Sequence, residues 1–200
     1  MATAGTKGVP RPERERQILD IAAEHIGRVG YAGLSLADIA TEAGVSKPLV
    51  YGYFRTKDGL YAACVERAAT ILADAIENAI TSTVSLEMAQ HTLDAIFTAL
   101  EPRPHDWNVL FDRSAPREGP AGESVRNARR RIANQAARGI ATVFDATGIT
   151  DPHDLSALTD VWMGAVTSLV NWWLRHPDQT AADMSARSKR LIDALATAQR

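Results

Sequence analysis

Between Leu34 and Leu60 the chain reads LSLADIATEAGVSKPLVYGYFRTKDGL, and no other stretch constrains the fold as tightly. Ser35 is placed to cap a helix, with Asp38 three residues on in a near capping box. Leu36, Ile39, Ala40 and Ala43 then share one helical face, and Gly44 follows where a left-handed stop residue is wanted. Ser46 is placed as a second N-cap, and Pro48 falls in the first helical turn, where its missing N–H costs little. The stretch therefore predicts two short helices joined by a tight turn. At about 100° per residue, Val50 and Phe54 of the second helix share a face that packs on Leu36, Ile39 and Ala43. The opposite face carries Pro48, Leu49 and Gly52 at its centre, Lys47 and Tyr51 along one edge and Tyr53 along the other. A small central face flanked by hydroxyls and positive charge suits a helix laid in a DNA major groove, with edge residues on phosphates and central ones on bases. A plain helical hairpin with half-buried tyrosines is the alternative that these features alone leave open.

The rest of the chain reads as helix throughout. Ile18, Ala22, Ile26 and Val29 mark one helix over residues 13–29, stopped by Gly30 and Gly33. After a turn at Arg55 and Thr56, Lys57 begins a long helix on which Leu60, Cys64, Ala68, Ile71, Ala75, Ile76, Ala79 and Ile80 recur near the helical period, with no Pro or Gly between Leu60 and Ile80. Further helices are expected over 86–100, around Trp107 to Phe111, over 123–147, from Asp151 and Pro152 to before Pro177, and from Thr180 through Leu195, with SAPREGPAG (114–122) as the clearest loop. The fold class expected is all-α, about nine helices without a strand. It comprises a disordered basic arm (1–12), a three-helix helix-turn-helix head (13–56) and a helical bundle body (57–200). The single cysteine excludes an internal disulfide framework, and with no signal stretch and no membrane-length apolar run a cytoplasmic setting is expected. The net charge of −2 argues against nucleic acid as a whole-chain partner, yet residues 1–60 hold eight Lys and Arg against seven Asp and Glu, so any basic footprint is local. Lys7, Arg11, Arg14 and Arg16 are candidates to follow DNA phosphates, or belong to a solvated tail.

The segment resembles the DNA-binding module of the tetracycline-repressor (TetR) family of bacterial transcription regulators. The resemblance covers about residues 13 to 67. It rests on a Gly-Tyr turn after the first helix, then S-L-A-D-I-A-x-E-A-G-V-S-K, L-V-Y-x-Y-F and K-D-G-L. It implies phosphate contacts at Ser35, Tyr51, Tyr53 and Lys57 and base-reading positions at Ala37, Lys47, Pro48, Leu49 and Gly52, with Ser46 at the helix start in the same DNA-facing set. Ala37 and Gly52 lack a side-chain donor. Lys47 is therefore the one long polar reader, Leu49 suits a thymine methyl, and more is left to DNA shape. The resemblance further implies a double-stranded operator, a homodimer built on the last two helices, a small-molecule effector held in the body, and repression as the default.

For the dimer, Leu158, Val166, Leu169, Leu191 and Leu195 are the candidate interface residues. For the effector, Phe97, Trp107, Phe111 and Trp162 are the candidate lining of an apolar or aromatic site; an ordinary core explains the same pattern. No cofactor, metal site or catalytic group is expected. His25, His91, His105, His153 and His176 are scattered without metal-ligand spacing, and neither a phosphate loop nor a nucleophile elbow is present. His105 with Asp106, and His153 with Asp154, read as surface caps, and Arg129 to Arg131 as a solvated face. A helical protein–protein adaptor is the competing class, and it predicts no salt-sensitive DNA binding.

Overall fold

The computed structural model describes residues 9–80, 86–145 and 147–197. Among these the chain is all-helical: α1 (Arg11–Gly33), α2 (Leu36–Glu42), α3 (Lys47–Phe54), α4 (Lys57–Ala79), α5 (Leu86–Leu100), α6 (His105–Leu110), α7 (Gly119–Asp145), α8 (Pro152–Leu174) and α9 (Ala181–Thr197). The helices form two compact units, one of residues 1–68 with 105–128, the other of 69–104 with 129–200.

In the first unit α1 buries Ile18, Leu19, Ala22, Ala23 and Ile26, each large side chain contributing on the order of 1.5–3 kcal/mol. The expected basic arm lies outside the described residues from 1 to 8, while Arg11 and Pro12 open α1. The helix breaks where glycine was read as a stop: Gly30 adopts φ 69, ψ −179. Its missing side chain also gives room, since a Cβ there would lie 2.5 Å from Ser114 Oγ. Val29, expected on the inward face, is 46% exposed, because the helix ends beside it before a neighbour covers that face. Gly27 faces α6, where a Cβ would lie 2.5 Å from His105 Nδ1. Asp106 also departs from the local expectation of a surface cap, because it is buried. Its carboxylate lies 3.8 Å from the Arg67 guanidinium, which also pairs with Asp20 at 2.6 Å and donates to the Leu19 carbonyl, joining α1, α4 and α6. Cys64 is a core residue as expected, and burial pushes its thiol up to about 12.

In the second unit α5 packs on α9. Glu101 accepts from the Ala181 N–H at 2.8 Å and Gln90 donates to the Ser185 carbonyl at 3.1 Å. Leu93, Ile96, Phe97, Leu100, Val166, Val170, Trp173 and Met184 form its buried apolar core. Gln135 of α7 donates to the Ala73 carbonyl and to Glu77 of α4, while Arg131 pairs with Asp74 at 2.7 Å, so this arginine serves a helix–helix contact. Two caps follow the sequence closely. Asp151 accepts from the N–H groups of His153 and Asp154, and Thr180 with Asp183 makes a reciprocal capping box at 3.1 and 2.9 Å. The loop 114–122 is shorter than its composition suggests, since α7 already begins at Gly119 (φ 74), with Pro120 suited to the first turn.

Candidate nucleic-acid interface

The interface is assembled from α2, α3 and the corner that leads into α4. Val50 and Phe54 of α3 are buried at 0% and 7% exposure, which fixes the rotation of that helix and turns Lys47, Pro48, Tyr51 and Gly52 outward. Leu49 and Tyr53 are half-buried on its flanks, as is Ala37 on α2. A Cβ on Gly52 would meet nothing within 4 Å, so the centre of the face is open to a groove. Gly44 takes φ 62, the left-handed stop expected between the helices. Ser35 caps α2 by accepting from the Asp38 N–H at 3.4 Å. Ser46 stands at the N-cap position of α3 but makes no capping hydrogen bond, because its side chain is exposed and leaves the helix start to solvent.

Several polar groups expected on DNA also have partners within the protein. The Lys47 ammonium lies 5.7 Å from the Tyr51 ring centroid, so charge and hydroxyl stand together at one edge. The Tyr53 hydroxyl donates to the Arg11 carbonyl at 3.3 Å, and the Arg11 guanidinium lies 5.4 Å from the Tyr53 ring. Tyr53 thereby seats the first turn of α1 beside α3. Lys57 donates to the Ala32 carbonyl at 3.1 Å and sits 4.3 Å from the Tyr31 ring, with ammonium N–H groups left over. Arg14 and Arg16 engage Gln17 and Glu13 of their own helix. Lys7 lies outside the described residues.

The corner between α3 and α4 is built mostly from contacts that no local pattern announces. Phe54 carbonyl accepts from the Thr56 N–H at 2.7 Å across Arg55, which has φ 63, ψ −48: a γ-turn of the rare positive-φ kind. Thr56 Oγ1 caps α4 by accepting from the Gly59 N–H at 3.0 Å. Gly59 is required here, since a Cβ would lie 2.1 Å from the Phe54 carbonyl oxygen. Behind the corner, Tyr31 donates its hydroxyl to Asp58 at 2.6 Å, and that bond together with burial raises the phenol to about 12. Asp112, at the end of α6, accepts the Tyr31 backbone N–H at 2.6 Å and the Tyr61 hydroxyl at 3.1 Å. His25 bonds Glu42 at 2.9 Å and, with Arg28, holds that carboxyl below its ordinary range, tying α1 to α2. Of these only the Thr56 cap has a local signal; Tyr31 and Asp112 meet across 81 positions.

The residues expected to line an effector site fall in both units. Trp107 and Phe111 form a ring pair at 4.3 Å in the first; in the second, Phe97 meets Trp173 edge-on at 5.5 Å, and Trp162 is half-buried. Among the expected dimer residues, Leu158 and Leu169 are half-buried and Leu191 is 48% exposed, whereas Val166 is 3% exposed and already belongs to the core of its own chain. Val161, five residues earlier on α8, is the outward apolar side chain at 69%. The Leu195 side chain lies outside the described residues.

An all-α chain presenting the second helix of a tight helix-turn-helix to solvent, with basic and hydroxyl groups at its edges, has the architecture of a DNA-binding regulator. Residues 18–64 match the family model for bacterial regulatory proteins of the tetR family. The HTH-type transcriptional activator FasR of Mycolicibacterium smegmatis is 30% identical over 119 residues, covering 59% of this chain and 54% of that relative, so the chain spans about half its length. A TetR-like regulator from Rhodococcus sp. RHA1 superposes with TM-score 0.72 at 22% identity, over 92% of this chain and 96% of the other. FadR from Bacillus subtilis, solved in complex with stearoyl-CoA, superposes with TM-score 0.69 at 18% identity over 90% and 96%. The structural likenesses establish the fold, and the match to the tetR-family model covers the helix-turn-helix segment, residues 18–64.

Proposed function

We propose that this chain is a ligand-responsive transcriptional regulator that binds a palindromic DNA operator as a homodimer in the cytoplasm. Residues 13–56 read DNA, preceded by the arm 1–12, and residues 57–200 dimerise and take the effector. The observation that carries this reading is α3, held by Val50 and Phe54 while Lys47, Pro48, Tyr51 and Gly52 stand free for a groove. Phosphate contacts go to Ser35, Tyr51, Tyr53 and Lys57, and base contacts to Ala37, Lys47, Pro48, Leu49 and Gly52, with Ser46 in the same DNA-facing set. Val161 and Leu191, with Leu158 and Leu169 beside them, supply the apolar dimer surface on α8 and α9.

The effector has an apolar part received within the second unit, by Phe97 and Trp162. The stearoyl-CoA complex of FadR supports an acyl thioester as its class. Control runs through α4, whose 23 residues span about 34 Å without interruption. Because dimer heads must stand about 34–36 Å apart, or a multiple of it, a small tilt of two symmetric helices is enough to spoil the spacing. Repression is the mode in this reading, and FasR, named an activator, marks the opposite outcome for a transcription assay. Tryptophan fluorescence, titrated with stearoyl-CoA with and without operator, tests the coupling. An effector that lowers DNA affinity by a given factor must itself bind the DNA complex more weakly by that factor, and equal affinities would refute the mechanism.

A further inference from the structure

We propose that Arg55 is a DNA-phosphate contact, held at a strained backbone position for the sake of its charge. This rests on the DNA-binding reading above and adds a residue to it. Arg55 adopts φ 63, ψ −48, and no other non-glycine among the described residues has a positive φ. A side chain with a Cβ is disfavoured there; glycine takes the same conformation with little strain. The side chain offers no stabilising contact in return. It is exposed, and among the described residues its guanidinium makes no hydrogen bond, ion pair or ring contact.

Position supplies the reason. Of the exposed residues of α3, Pro48, Tyr51 and Gly52 lie in one i, i+3, i+4 series, and the Cα of Arg55 falls at its i+7 step. Its N–H still bonds the Tyr51 carbonyl at 2.9 Å, so it stands one turn beyond Tyr51 and two residues before Lys57. The neighbouring candidates are partly committed: Tyr53 to the Arg11 carbonyl and Lys57 to the Ala32 carbonyl. Among the described residues none takes up any of the five guanidinium donors of Arg55, which stands at the exit of the recognition helix, where the duplex backbone passes a helix seated in the groove. A phosphate needs that chemistry, and the turn tolerates the strain to place it.

The test uses the full-length protein and a random-sequence duplex long enough for both heads. Arg55→Gly should raise the melting temperature by relieving the turn while making the slope of log affinity against log salt shallower. The change is about 0.9 per phosphate contact, or about 1.8 for a symmetric dimer. Arg55→Gln, which keeps the Cβ, should lose the same slope without gaining stability, and Arg55→Lys should recover most of it. A slope unchanged in Arg55→Gln overturns the contact, and a melting temperature unchanged or lowered in Arg55→Gly overturns the strain argument. Wild-type protein with no salt-sensitive DNA binding would overturn the functional reading itself, and this inference with it.

Discussion

Removing the Tyr31 hydroxyl should loosen the corner that carries the recognition helix, by an amount that depends on pH in a defined direction. Tyr31→Phe keeps the edge-on packing against Tyr61 at 5.1 Å and leaves a ring beneath the Lys57 ammonium, but deletes the 2.6 Å bond to the Asp58 carboxylate. Hydrogen bonds to charged groups contribute about 1.5–3 kcal/mol. Tyr31 and Asp58 are both half-buried, so water recovers part of the loss, and the expected destabilisation is about 1–1.5 kcal/mol. For a chain of this size that lowers the melting temperature by roughly 3–5 °C. The phenol is raised to about 12 in the folded protein by its bond to Asp58 and by burial. The folded state therefore holds the proton more tightly than the unfolded chain. The contribution is complete below about pH 10, the ordinary phenol range, and is lost as pH rises toward the folded value. Paired thermal melts of wild type and Tyr31→Phe, at equal protomer concentration, should show a constant gap near neutrality that narrows above about pH 10. No gap at neutral pH, or one that does not narrow under alkali, would refute the argument.

Gly59→Ala should displace α3 from α4 by about 1 Å, because its Cβ would start 2.1 Å from the Phe54 carbonyl. A loss of about 1–3 kcal/mol with weakened DNA binding by the folded protein is expected, and an unchanged melting temperature would deny the close approach. Lys57→Ala should flatten the salt slope by roughly one unit per contact on any sequence, whereas Lys47→Ala should relax preference at particular bases. Equal loss on specific and random DNA for Lys47→Ala would break that division. Val161→Glu, at a position 69% exposed in the single chain, should leave helicity intact and shift sedimentation from dimer toward monomer. A dimer unchanged at micromolar concentration would remove α8 from the interface.

The features legible in the sequence are those that a few neighbouring residues settle among themselves. The stop at Gly30, the left-handed Gly44, Pro48 in the first turn of α3, the Asp151 cap and the Thr180–Asp183 box each close within about four residues, so they are legible without a fold. The inward pair Val50 and Phe54, and hence the outward face of α3, follow from the same local period. Tertiary structure decided which polar group meets which. Asp106 is buried and meets Arg67 arriving from α4, and the Tyr53 hydroxyl goes to the Arg11 carbonyl because α1 begins there. Periodicity gives a helix two sides but not the neighbour that covers each. Val166 is therefore enclosed and Val161 bare on one helix, and Val29 is exposed where a stripe had placed it inside. The corner at Arg55, Thr56 and Gly59 shows both sides at once. The glycine is visible in the sequence, but its reason, a carbonyl oxygen that a Cβ would meet at 2.1 Å, exists only once α3 and α4 have met.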